Sequence, residues 1–302
     1  MRWRRLLRRI AGCWQLYALI LPAVVAVFIF HYMPIYGLQI AFRNYRPSKG
    51  IWGSEWVGLK WFIKFFDYPD FWRIIRNTLS ISLLSIAVFP CAVILALMLN
   101  EVTSARYKRY VQLVTYAPHF VSTVIVCSMV IIFTQYSNGV LNNIAELMGI
   151  GRHDIITVPE YFSAIYVISG LWQNLGWDAI IYLAALASVS PELIEAARID
   201  GANRLKIIWH VTLPCIMPTV VTMLILNAGK VLSVGFEKIF LLQNSLNLDA
   251  SRVISTYVYE MGIQGGQFSY SAAIGLFNNV VNVIFIVLVN TLSKKITSVG
   301  LW

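Results

Sequence analysis

The chain has 302 residues, of which 58% are hydrophobic and only 13% charged, and its mean hydropathy is +0.68. This composition excludes an ordinary soluble domain, which builds its core from far less apolar sequence. The net charge of +10 does not indicate nucleic acid, because lysines and arginines sit in short groups at the ends of apolar runs, where positive-inside bias places them.

In chain order, residues 2–9 carry five arginines, with Trp3, Leu6, Leu7, Ile10 and Trp14 at helical spacing. That pattern predicts a cytoplasmic segment over residues 1–14 lying in the lipid interface. Residues 15–36 are apolar for about 20 residues, long enough to cross a bilayer, and lack a small-residue cleavage site. A retained first transmembrane helix is expected there. Residues 37–72 mix Arg43, Lys49, Asp67 and Asp70 with Gly and Pro turn signals, predicting an ordered external loop whose Trp52, Trp56, Trp61 and Trp72 suit an interfacial belt.

Residues 73–292 then contain five further apolar runs, at about 74–99, 113–135, 161–187, 215–234 and 271–292. Pro90 and Pro118 interrupt the second and third spans, and a short surface helix is expected near 141–148. A cytoplasmic tail, 293–302, follows. The fold class is therefore an all-α integral membrane protein of six transmembrane helices, multi-pass in the cell membrane and surrounded by lipid. Both termini are expected in the cytoplasm, because the segments assigned there carry 13 of the 24 lysines and arginines on less total length than the external ones.

Between the fourth and fifth spans lies a polar island, residues 191–214. Ser190 is placed to cap a helix, Pro191 fits its first position, and Glu192 and Glu195 put negative charge near its positive end. That helix should stop at Gly201. Asn203 is expected to cap a second short helix over 204–211, which Pro214 then interrupts. From topology alone an ordinary cytoplasmic loop explains the island equally well.

Catalytic chemistry is missing from the sequence. Gly229-Lys230 has no glycine five residues earlier and is followed by Val231, so it is no phosphate loop. His31, His119, His153 and His210 are solitary, no serine stands in a nucleophile elbow, and Cys13, Cys91, Cys127 and Cys215 are isolated. No enzyme activity, metal or cofactor is expected on this chain. Polar groups inside spans are more informative, because an amide or charge in hydrocarbon must face another helix or water. Trp172, Gln173, Asn174, Trp177 and Asp178 in the fourth span, Asn227 and Lys230 in the fifth, and Asn278, Asn279 and Asn282 in the sixth form such a set. Amides beside indole rings suit a sugar; interhelical hydrogen bonding is the competing explanation for each asparagine. A secondary transporter or channel for a small polar solute is the alternative function, with Asp178 and Lys230 as its coupling charges.

Glu195-Ala196-Ala197, Asp200-Gly201 and, nine residues after the glycine, Val211-Thr-Leu213-Pro214 resemble the EAA loop of permease subunits in binding-protein-dependent ABC importers. Isoleucine is usual in that family where Val211 stands. The Trp172 to Trp177 segment and Ser190-Pro191-Glu192 are similar to the carbohydrate branch, of the maltose type. Residues 36–42, 50–54, 57–59 and 235–240 resemble a subgroup handling polysaccharide breakdown products. The resemblance implies a type I importer fold that moves an oligosaccharide by alternating access. It implies a second, homologous permease subunit, two ATPase subunits that hold ATP and magnesium, and an extracellular solute-binding protein. Glu195, Ala196, Ala197, Asp200, Gly201, Leu213 and Pro214 would couple to the ATPase, and Trp172, Asn174, Trp177, Asn227, Asn278 and Asn282 would line the substrate path.

Overall fold

A computed structural model describes residues 12–302; the arginine-rich segment at 2–9 lies outside the described residues. The described residues form two compact units, one of residues 12–66 with 261–276, the other of 67–260 with 277–302.

The first unit begins with α1 (Trp14–Phe42), a long apolar helix whose most apolar window buries nothing within the chain. Its wide turn at Phe28–Tyr32 and tightened end at Gly37–Phe42 bring the helix to a small antiparallel hairpin. Strands β1 (Arg43–Arg46) and β2 (Gly50–Trp56) pair in the register Arg43 to Trp56 and Asn44 to Glu55. This hairpin amends the all-α expectation. Its sequence carries no helical apolar period, and a side-chain stack holds it instead. The Arg43 guanidinium donates to the Ser54 carbonyl at 2.9 Å and lies over the rings of Trp52 and Trp56. Trp61 of α2 (Lys60–Phe66) donates to the Arg43 carbonyl at 2.9 Å. Residues 43–66 thus form a hairpin and a short helix held by specific side-chain contacts.

The second unit contains α3 (Phe71–Glu101), α4 (Ala105–Phe120), α5 (Thr123–Thr134), α6 (Val140–Leu147), α7 (Pro159–Ala187), α8 (Pro191–Ile199) and α9 (Arg204–Ala228). Short helices α10 (Phe236–Leu242), α11 (Leu248–Ser251) and α12 (Ile254–Tyr259) follow. Helix α13 (Phe268–Thr297) begins in the first unit and ends in the second. Four described helices are long and apolar enough to cross a membrane, or up to six if each bent pair counts as one span.

Two spans depart from the bounds expected. The run at 113–135 is a pair, α4 and α5, meeting at 98°. Pro118 lacks a donor, Val121 turns extended, and Ser122 restarts the helix by accepting from the Ile125 amide at 3.4 Å. The run at 215–234 is displaced: helix α9 starts at Arg204 and ends at Ala228. Pro214 therefore does not interrupt it. A wide turn at Ile208–Thr212 re-pairs the backbone, with the Leu213 amide donating to the carbonyl of Ile208, five residues back, so the missing proline donor is absorbed without a break. Lys230 lies beyond the helix end, in the turn that follows it.

Helix α7 is the centre of the second unit. Ala179, Tyr182 and Leu186 pack with Ala92, Val93 and Ala96 of α3 and Ile216 of α9, while Phe162 joins Ile81, Ile239 and Leu242 in a separate cluster. Gly176 lets α4 approach closely, since a β-carbon there would meet the Thr115 carbonyl oxygen at 2.3 Å. Asn142 of α6 is fully buried and donates to the carbonyls of Thr134 and Gln135 at the end of α5. Arg252 pairs with Glu260, which raises the guanidinium above its ordinary pKa chiefly through that hydrogen bond.

Candidate functional site

The island folds much as its residues predict. Pro191 opens α8, Glu192 lies in its first turn, and Ser190 holds the N-cap position, although its side chain makes no capping hydrogen bond. Gly201 ends the helix in the left-handed region at φ +78°, with its amide bonded to Arg198 and that of Ala202 to Ala197. Asn203 caps the next helix by accepting from the Lys206 amide at 2.9 Å.

No residue of α8 is buried, and Leu193 and Ile199 are 50% and 87% exposed. It is flanked by two long helices: α7 meets it at a 73° bend, and α9 leaves just after Asn203 as one continuous helix. At 1.5 Å per residue, the 25 residues of α9 extend roughly 37 Å from the island.

The far end of α9 meets a cavity of about 410 Å³, within the ~300–1,000 Å³ typical of ligand sites. Its polar lining comes from Ser85 of α3, Asn174, Asp178 and Tyr182 of α7, Asn227 of α9, and Lys230. A neighbouring chamber of about 590 Å³ shares Tyr166, Gly170, Asn174 and Gly235 with it and adds His119, Gln173 and Lys238. Hydroxyls, amides, an ammonium and a carboxylate on an otherwise apolar wall are the groups that can hydrogen-bond a polyhydroxylated solute.

The predicted path residues divide between this site and its supports. Asn174 lines both spaces, donates to the Gly170 carbonyl at 3.1 Å, and its Oδ1 lies 3.0 Å from His119 Nδ1. Trp177 is stacked on the His119 ring at 4.3 Å between centroids, so it sits one residue's thickness away from the chamber. Asn227 lines the cavity with its amide bonded only to the Met223 carbonyl of its own helix. Asn282 and Asn278 instead hold the turn after α9. Asn282 accepts from the Leu232 amide at 2.9 Å and donates to Ser233 Oγ at 2.8 Å, and Asn278 donates to the same hydroxyl at 3.4 Å. Ser82 adds a hydrogen bond to the Val231 carbonyl from the other side. Trp172 faces an apolar recess among Val126, Val130 and Ile168.

Sequence reasoning missed His119, Tyr166 and Lys238. Lys238 belongs to a seven-residue helix within what reads as an external excursion, and nothing in its local sequence announces burial. The pairing of His119 with Asn174 and Trp177 crosses more than 50 residues and a kinked span.

Residues 88–298 match the family described as binding-protein-dependent transport system inner membrane component. The chain is 42% identical over 300 residues to the polygalacturonan/rhamnogalacturonan transport system permease protein YteP of Bacillus subtilis, covering 99% of this chain and 94% of that one. It is also 42% identical, with a TM-score of 0.88 over 97% of its length and 99% of the other chain, to a chain of a bacterial ABC transporter involved in the import of the acidic polysaccharide alginate. A second structure, of a bacterial alginate ABC transporter in complex with alginate pentasaccharide-bound periplasmic protein, matches with a TM-score of 0.89 at 41% identity, covering 98% of this chain and 100% of that one. The chain belongs to the inner-membrane permease components of binding-protein-dependent ABC transport systems, as a non-catalytic transport subunit.

Proposed function

We propose that this permease imports an oligosaccharide by alternating access, through the polar cavity between α3, α7 and α9, with α8 as the socket for the ATPase. The observation that carries this reading is the continuity of α9. A single continuous helix runs from the turn beside α8 to Asn227 in the cavity wall, and α7, which supplies Asn174 and Asp178, ends directly before α8. Force applied at the island therefore reaches both walls of the cavity without a flexible joint except the 188–190 and 200–203 turns.

Exposed Glu195 and Ala196, with Ala197, offer a carboxylate and small side chains that let the helix sit deep in a groove, and exposed Leu193 and Ile199 give it apolar area to bury there. Asp200 and Gly201 form the turn into α9, while Leu213 and Pro214 follow the wide turn that keeps α9 unbroken. In this reading six spans cross the membrane with both termini in the cytoplasm, and α8 lies on the ATPase side. The site residues for transport are Asn174, Asn227, Asp178 and Lys230 in direct contact with sugar; Trp177 supports His119, and Asn278 and Asn282 fix the turn that carries Lys230.

The partners are a second, homologous permease, two ATPase subunits that hold ATP and magnesium, and an extracellular binding protein that delivers the sugar. A loaded binding protein acts by binding one access state better than the other. Solubilised gently and purified through this chain, the complex should contain a second permease and an ATPase, and its reconstituted form should take up oligosaccharide only with ATP and binding protein present. Uptake driven by an ion gradient without ATP would overturn the proposal.

A further inference from the structure

The chamber beside the cavity holds a charge that the transport scheme above does not use. Lys238 is 8% exposed, and among the described residues no carboxylate lies within ion-pair distance of its Nζ. The ammonium has three donors. One reaches the Tyr166 carbonyl at 2.9 Å, and the group lies 5.0 Å from the centroid of the Tyr166 ring. Gly170 makes the room: a β-carbon there would stand 3.2 Å from Nζ. Glu237, which also lines the chamber, is the adjacent residue on α10, and neighbours one position apart do not face each other on a helix.

A buried cation with no carboxylate partner is costly unless an anion repays it. Here the open side of the ammonium is a chamber of about 590 Å³ that shares a wall with the sugar cavity and whose other polar lining includes His119, Ser122, Gln173 and Glu237. Hydroxyl and amide groups for a sugar ring and the Lys238 ammonium for an acid thus line two spaces that share Tyr166, Gly170, Asn174 and Gly235.

We infer that Lys238 is the specificity-determining residue of a carboxylate subsite, and that the substrate is an oligosaccharide containing uronic acid. Tyr166 holds the ammonium from behind, Gly170 leaves it space, and the free donor meets the sugar carboxylate as the chain passes. This rests on the reading of the cavity as the oligosaccharide path.

The test uses the complete transporter reconstituted with its partner permease, ATPases and binding protein, supplied with trigalacturonate, an alginate trisaccharide, or the methyl esters of each at concentrations that saturate the binding protein. Wild type should import at least one acid faster than its ester. Lys238→Met should lower uptake of that acid at least about tenfold, the worth of a lost charge-assisted hydrogen bond. Lys238→Arg, which keeps the charge, should restore most of it, and Gly170→Ala, which crowds the ammonium, should fall between. ATP hydrolysis stimulated by the loaded binding protein should stay near wild type in all three. Equal import of acid and ester by wild type, or unchanged acid uptake in Lys238→Met, would overturn the assignment; so would parallel loss of uptake and stimulated ATP hydrolysis in both Lys238 variants, which marks a structural role. Import of none of the four sugars, with a neutral oligosaccharide carried instead, overturns the acid class while leaving the oligosaccharide path intact; no ATP-dependent oligosaccharide uptake at all overturns the path itself.

Discussion

Helix α8 and the cavity wall are joined by the same two long helices, α7 and α9, yet they are built on opposite principles. Along α8 nothing is buried and apolar Ile199 points at open space, whereas in and around the cavity polar side chains such as Ser82, Gln173 and Lys238 are buried among apolar ones. A surface that completes itself against another protein spends small and apolar side chains on exposure. A surface that completes itself against a passing sugar buries polar groups instead. The difference assigns the two ends of α9 to different tasks, and substitutions should separate them.

The sharpest separation comes at the socket. Gly201→Val forces a β-branched residue into φ +78°, where only glycine is comfortable, although no neighbouring atom lies within 4 Å of the added carbon. Uptake should fall to background while the amount of protein in the membrane is unchanged, as read by transport assay beside quantitative blotting. A socket with no mechanical role would leave uptake near wild type.

Packing around α7 should respond in stability first. Gly176→Ala places a carbon 2.3 Å from the Thr115 carbonyl oxygen. Backbone cannot swing away as a side chain does, so a loss of about 1–3 kcal/mol is expected, visible as a lower melting temperature of the detergent-solubilised protein. A melting curve identical to wild type would show that α4 and α7 do not approach so closely.

Asn282→Ala removes the acceptor for the Leu232 amide and a donor to Ser233, leaving buried backbone unpaired at a cost of about 1–3 kcal/mol. Transport should slow without any change in which sugar is preferred, because the turn carrying Lys230 loosens. A switched preference would return Asn282 to the sugar-contacting wall. The smallest effect is expected at Asn227→Ala. Its amide bonds only within its own helix, so the fold should be untouched and the KM for sugar raised about fivefold, the worth of one hydrogen bond of ~1 kcal/mol. An unchanged KM would remove Asn227 from the path.

These contrasts also mark where the sequence was readable. The island's start, its end at Gly201 and its cap at Asn203 follow from local chemistry that acts within four residues, and each is where it was expected. Asn174 and Asn227 were found because amides inside apolar runs must face something polar, a rule that holds residue by residue. It does not say what they face, so Asn278 and Asn282 looked like path residues until their bonds to Leu232 and Ser233 appeared. Pro214 misled for a related reason: proline breaks a helix only if the freed carbonyls cannot re-pair, and the wide turn at Ile208–Thr212 re-pairs them. Lys238 and His119 were invisible because their meaning lies in contacts with α7, far away along the chain.

The claim that most of the account depends on is that an ATPase seats on α8 and drives the cavity through α9. Exposed Ala196 gives direct access to it. With the exposed Cys13 and Cys215 replaced by serine, Ala196→Cys in the intact transporter should cross-link to a cysteine introduced in the ATPase groove, and occlusion of ATP should change the solvent accessibility of a second cysteine placed at Asn227. A transporter that still imports sugar but yields no cross-link at Ala196, or in which position 227 ignores the nucleotide state, would contradict it.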